Sequence, residues 1–234
     1  MAAPSTLKEI RERVQVDLDL QEEVFILDAE INNFINDGIR EAEAEILTVG
    51  PELQNYFLTK KTLDTVAGQA EYKVPSDMYA DKIRSMTYNE SGFNIHKITP
   101  VRDLQDIPYL NLSGQNNRNY QYVFTQALKG TRLNLFPTPD RTTTGGAITI
   151  WYVRNARSLE TDTDVCDIPE FVNFIIQYAK VECMKKEGHP NLGVVMGDFE
   201  KQRELMINTL RNRIIDDENE IQPDMRFYAD TMYE

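Results

Sequence analysis

The residues best placed by type and spacing to do chemistry lie in the run Asp162-Thr-Asp164-Val-Cys-Asp167. Three carboxylates this close in sequence offer the oxygen ligands that a hard cation prefers. The run lacks the turn glycine and terminal glutamate of a helix-loop-helix calcium site. Asp167 also opens a helix-start pattern, so capping explains it better. His96 and His189 are the two histidines; one falls in a strand-like segment, the other in a turn before Pro190. Nothing local sets either beside a nucleophile, as a Ser–His–Asp or Cys–His site requires. Cys166 and Cys183 form no Cys-x-x-Cys pair and no disulfide framework, which points to a reducing compartment. Neither a phosphate-cradling Gly-x-x-x-x-Gly-Lys loop nor a dinucleotide fingerprint occurs. The expectation is therefore a protein that is not an enzyme, with no catalytic residues, no metal ligands and no cofactor. A hydrolase using a metal at the acidic cluster is the weakest rival.

A second acidic pattern is a row. Asp37, Glu41 and Glu45 recur at intervals of four on one helical face, with Glu30 close to it. Like charges at this spacing each cost a few tenths of a kcal/mol. A solvated helix face is one reading; a surface that repels phosphate, along which DNA passes without sticking, is the other. The third pattern is the tail, where Met225, Phe227, Tyr228, Met232 and Tyr233 punctuate an acidic stretch after Asp216. Such a segment suits either disorder or docking on a partner through its apolar side chains.

The elements that must position these groups follow from periodicity. Residues 5–17 read as a short helix capped by Ser5, with Leu7, Ile10 and Val14 on one face. Residues 28–48 read as a long helix capped by Asp28, with the stripe Leu27, Ile31, Phe34, Ile35, Gly38, Ala42 and Ile46. From Phe57 to Arg154 the period becomes two, giving roughly five to eight strands. Lys82–Tyr88 meets Phe93–Ile98 in a hairpin, as do Tyr120–Ala127 and Thr131–Phe136, while 101–110 suggests a short helix and 113–119 an exposed loop. Ala147–Val153 is β-branched and aromatic, a clear strand. Two helices follow. The first starts at Asp167-Ile-Pro-Glu170 and is apolar on more than one side, so it should be central. The second is capped by Asn191 and carries Leu192, Val195, Met196, Phe199, Met206, Leu210 and Ile214. The expected fold is α+β: a four-helix bundle of two N-terminal and two C-terminal helices, with an inserted antiparallel β domain and an extended C-terminal tail. Its parts are residues 1–56, 57–157, 158–215 and 216–234.

The formal net charge is -13, and it is unevenly placed. Residues 1–56 carry four basic and thirteen acidic side chains, and residues 214–234 carry one and seven, so the middle of the chain is slightly positive. Tight nucleic-acid binding needs Lys and Arg at the phosphates and is disfavoured by such ends. No apolar run approaches the ~18 residues that span a bilayer, and the N-terminus lacks a basic then apolar leader, so neither membrane nor secretion is expected.

Four segments then resemble one family. Leu27–Ala42 resembles its early helix, with an Ile-Asn-x-Gly-x-Arg-Glu run; Asp64–Met78 resembles its Val-Ala-Gly-Gln-x-Glu-Tyr hairpin. Leu133–Asp140 resembles its Leu-x-Leu-x-Pro-x-Pro segment, and Ile168–Phe171 the Leu-Pro-Glu start of a helix pair. The chain resembles the head-to-tail adaptor (connector) proteins of tailed bacteriophages over about residues 5–214. The resemblance implies a structural virion protein of the phage neck, assembled in the host cytoplasm as a ring, usually of twelve copies. Its implied partners are the portal protein, a downstream tail or nozzle protein, other copies of itself, and double-stranded DNA that passes unbound. The tail residues Met225, Phe227, Tyr228, Met232 and Tyr233 are then the portal-docking candidates; Glu30, Asp37, Glu41 and Glu45 are the channel-facing ones. Outside this family, the rival is a soluble regulatory module that binds a basic protein through its acidic termini.

Overall fold

The computed structural model describes residues 6–20, 25–50, 52–89, 95–101, 120–127 and 130–217. The first helix, α1 (Leu7–Leu18), is capped by Thr6 rather than Ser5. The reason is the residue three positions on. The Thr6 hydroxyl accepts the Glu9 N–H at 3.3 Å, and the Glu9 carboxylate accepts the Thr6 N–H at 2.9 Å. Ser5 has Lys8 at that distance, which cannot return the bond. The second helix, α2, is Asp28–Val49. Asp28 is its first helical residue, not its cap; Glu30 accepts the Leu27 N–H at 3.1 Å and ties the entering turn. Leu27 therefore precedes the helix and is exposed, while Ile31, Ile35, Ile39, Ala42 and Ile46 form the buried stripe.

Helix α3 (Val172–Glu187) follows a single 3-10 turn, Pro169–Phe171, and ends at Gly188 in the left-handed conformation. Its start has no side-chain cap; Asp167 instead accepts the Arg157 N–H at 2.9 Å. Helix α4 is Leu192–Asp217. Seven buried residues spread around α3 fit its contacts with all three other helices. The expected four-helix bundle with an inserted antiparallel β domain does not form. α1 and α4 lie against the α2–α3 pair rather than extensively against each other. Their lengths explain it. α1 has 12 residues and α4 has 26, so at 1.5 Å per residue they span about 18 and 39 Å and cannot close opposite walls of one bundle. Met196, placed on the α4 stripe by period, is exposed, and burial in α4 concentrates at Met206 and Leu210.

The strands are β1 (Leu58–Thr65), β2 (Glu71–Lys73), β3 (Met78–Asn89), β4 (Ile95–Pro100), β5 (Gln121–Ala127), β6 (Gly130–Phe136) and β7 (Thr143–Arg154). They make one seven-stranded sheet in the order β1-β7-β3-β4-β5-β6-β2. It is mixed, not antiparallel: β4 and β5 run parallel over Thr99↔Gln121 and Pro100↔Tyr122. A tight turn enforces antiparallel pairing, but the connection from Val101 to Tyr120 is long enough to bring the chain back in the same direction. The helix expected at 101–110 and the loop at 113–119 lie almost wholly outside the described residues. β3 starts earlier than its alternation suggests. Ala80 and Asp81 have positive φ and the register with β7 shifts there, so the period-two signal breaks. One face of the sheet is core: Met86, Tyr88, Ile98, Leu133, Leu135, Ile148 and Ile150 are buried. Gly146 is required where it stands, because its φ is +86° and a Cβ would meet the Thr62 Cβ at 2.9 Å.

The chain divides into two compact units. Described residues up to Gln54 and from Ala156 onward form a helical unit; Asn55–Asn155 form a sheet unit. Among the described residues no helix is long and apolar enough to cross a membrane.

Candidate functional site

The acidic row of α2 is largely occupied by neighbouring cations. Glu30 meets the Lys186 ammonium of α3 at 2.6 Å, and this hydrogen bond, with that from the Leu27 N–H, holds its carboxyl below the usual carboxylate range. The same ammonium sits 5.1 Å from the centre of the Phe25 ring. Glu45 pairs with Arg203 of α4, and that contact raises the guanidinium above its ordinary value. Asp37 pairs with Arg40 one turn on, at 2.9 Å. Glu41 is exposed. Gly38, between them, lets α3 approach: a Cβ there would lie 3.2 Å from the Tyr178 ring and 3.3 Å from Ile175. The row thus borders the seam of α2 with α3 and α4. Its two ends, Glu30 and Glu45, are tied across that seam, and its middle carries the charge nearest to solvent.

The loop that offered metal ligands is built as a stitch. Asp162 accepts a 2.9 Å hydrogen bond from Arg11, which also reaches Asp28 at 3.7 Å. This pairing depresses the Asp162 carboxyl and raises the Arg11 guanidinium. Asp164 folds back on its own turn. It accepts the N–H groups of Thr161 and Glu160 at 2.8 Å and the Thr161 hydroxyl at 2.7 Å, which lower its pKa. The backbone carbonyls of Asp164 and Asp162 accept the Leu7 and Lys8 N–H groups at the start of α1. These carboxylates point at backbone and guanidinium rather than converging, and no group of three metal-ligating side chains occurs among the described residues. His189 Nδ1 accepts the Asn191 N–H at 3.1 Å, a turn-forming role, and His96 lies on β4. Cys166 and Cys183 are buried; burial pushes the Cys183 thiol up to about 12, far from the thiolate a nucleophile needs. Met225, Phe227, Tyr228, Met232 and Tyr233 lie outside the described residues.

Periodicity passed over two polar residues that hold the helical unit together. Asn36 donates to the Leu159 carbonyl at 3.0 Å and accepts its N–H at 2.8 Å. Glu43, a carboxylate buried in the apolar face of α2, accepts the Ala156 N–H at 3.1 Å. They stand seven residues apart on one face and fix the extended segment that returns from the sheet unit. Their sequence signal was a polar side chain on an apolar stripe, where burial is tolerated only with a partner.

Side chains committed in this way, to capping, stitching and clamping, hold the elements of the helical unit together. The family follows. A model described as SU10 adaptor protein matches residues 5–225, so the chain belongs to that family of phage head-to-tail adaptors. No curated protein matches it in sequence.

Proposed function

We propose that the chain is a ring-forming neck component of a phage particle, placed between the portal protein and the tail. The family match along nearly the whole chain carries this reading. In it, copies assemble around the DNA path, twelve by resemblance, and the unit with the acid excess borders that path. Carboxylates offer phosphates no stable site, so DNA slides. Glu41 does more of this than Glu30, Asp37 and Glu45, whose charges Lys186, Arg40 and Arg203 already answer. The tail docks on the portal through Met225, Phe227, Tyr228, Met232 and Tyr233, and the sheet unit meets the next tail component.

The decisive experiment mixes the full chain with the portal protein of the same phage and looks for rings on it by negative-stain imaging. Removing residues 218–234 should abolish capture while leaving the thermal transition in place. Capture that survives the deletion removes the tail from the docking role. Full-length protein that never joins the portal, yet binds a basic protein in a salt-sensitive way, favours the regulatory-module reading.

A further inference from the structure

Between the start of α3 and the middle of α4, inside the helical unit, lies a solvent-open pocket of about 160 Å³. Phe171, Phe174, Leu205 and Met206 give it apolar walls, and Asn173 and Gln202 add two side-chain amides. Leu205 is 58% exposed, so this lining shows apolar surface to solvent. Among the described residues the lining holds one carboxylate, Glu170, and Arg213 answers its charge. The Thr209 hydroxyl is turned back on the Leu205 carbonyl at 2.8 Å. A cavity of about 150 Å³ with apolar walls accepts one benzene ring. Volume and lining therefore suit a single aromatic side chain, and the amides suit the backbone of an extended segment that carries it.

The chain supplies such a segment close by. α4 lines the pocket and ends at Asp217, and residues 218–234 continue from it. Met206 stands eleven residues before Asp217, about 16 Å back along the helix axis at ~1.5 Å per residue. A reversal of the chain takes about four residues, and an extended segment covers about 16 Å in roughly five more. That count brings residues 225–228 level with the pocket. Gln222-Pro223, just before them, favours extended backbone, because the proline ring disfavours helix at the residue ahead of it. Side chains of an extended segment alternate, so Met225 and Phe227 would face one way and Tyr228 the other. We infer that before assembly the pocket holds Phe227 of its own copy's tail, with Met225 beside it, and that the portal takes the tail by displacing it from there. The pocket keeps these two apolar side chains from water until the portal binds. One ring in an open pocket is a small contact, so the larger surface of a partner can replace it. The inference rests on the reading of the tail as the portal dock and adds where that tail is kept beforehand.

The test places a small diazirine amino acid at Leu205 in the full chain, mixes normal and ¹⁵N-labelled protein, and irradiates it alone and after capture by the portal. In the free protein, crosslinks from position 205 to residues 225–228 are expected, with both ends of one isotope. Phe227→Ala should cut them about tenfold. Asn173→Trp, which crowds the pocket from an exposed position, should do the same. Capture by the portal should lower them about tenfold as well. Absence of crosslinks to the tail, mixed-isotope crosslinks only, or crosslinks indifferent to Phe227→Ala would overturn the pocket assignment. Crosslinks to the tail that persist in the captured protein would overturn the exchange. Crosslinks from position 205 to the portal with none to the tail in the free protein would give the pocket to the portal instead. The free protein is read without the portal, so failure there strikes the pocket assignment and leaves the adaptor reading standing. Loss of portal capture by the wild-type chain is the separate failure of that reading.

Discussion

The helical and sheet units hold themselves together under opposite net charge. Residues 1–54 and 156–234 carry thirty acidic and thirteen basic side chains; residues 55–155 carry eight and twelve. The helical unit places its few cations where they tie elements together: Lys180 to Asp17, Lys186 to Glu30, Arg203 to Glu45 and Arg213 to Glu170. The sheet unit relies on register and on one buried face, and leaves Lys60 and Lys97 to solvent. Exposed pairs contribute at most about 1 kcal/mol each. The acidic unit is therefore stabilised chiefly by its apolar stripes, and its ion pairs decide which helix faces which. The lesson is that an overall charge of -13 describes neither half.

The sharpest way to break this comparison is to empty each core separately. Phe174→Ala removes a side chain that is fully buried and packs against Phe199, and should cost the helical unit about 3–5 kcal/mol. Ile148→Ala should cost the sheet unit about 2–5 kcal/mol. Hydrogen exchange followed by mass spectrometry should show each loss confined to its own unit. Equal deprotection of both by either variant would show that they unfold as one. A smaller effect, about 1–3 kcal/mol, is expected from Gly146→Ala, because the positive φ and the Thr62 contact both resist a Cβ. A neutral outcome in chemical denaturation would mean that β1 gives way easily.

The smallest effects are pH-dependent and run in opposite directions. Glu30 and Asp162 have folded pKa values below their ordinary 4.5 and 3.8, so their contribution is complete above those values and is lost as the pH falls through the folded ones. Glu30→Gln with Asp162→Asn should flatten the acid limb of the helical unit's melting curve. In the sheet unit, burial and the 2.9 Å hydrogen bond to Asp77 push Tyr152 up to about 12. Its contribution is present below pH 10 and fades as the pH rises toward 12; Tyr152→Phe should remove that fade.

Much of the fold was legible because period is written locally. Ile31, Ile35, Ala42 and Ile46 announced α2, and the many-sided apolarity of Phe171, Phe174, Ile175, Tyr178 and Ala179 announced a helix with neighbours on several sides. Arrangement was not legible, because it depends on lengths and partners that period does not encode. The bundle was wrong for that reason, as was a wholly antiparallel sheet. Caps failed where two candidates stood side by side and only the reciprocal bond chose between them, as at Ser5 and Thr6. The acidic row was visible at Glu30, Asp37, Glu41 and Glu45, but the cations that tie its two ends, Lys186 and Arg203, sit 156 and 158 residues away. Asn36 and Glu43 went unseen because a polar side chain on an apolar face looks like an interruption until its backbone partner is known.

The pairing of β1 with β7 has a mechanical consequence. The chain enters the sheet unit at Leu58 and leaves it after Arg154, and Leu58 stands opposite Val153 in register. Tension applied along the backbone at these two ends would pull adjacent antiparallel strands apart from their shared end. The hydrogen bonds would then break one pair after another, from Leu58↔Val153 toward Leu63↔Ile148, instead of resisting together in shear. A force that reached the sheet unit through its own chain would open it like a zipper. What guards it there is the buried apolar backing of Val153, Ile150 and Ile148, so its strength under load is set by side-chain packing more than by the length of its strands.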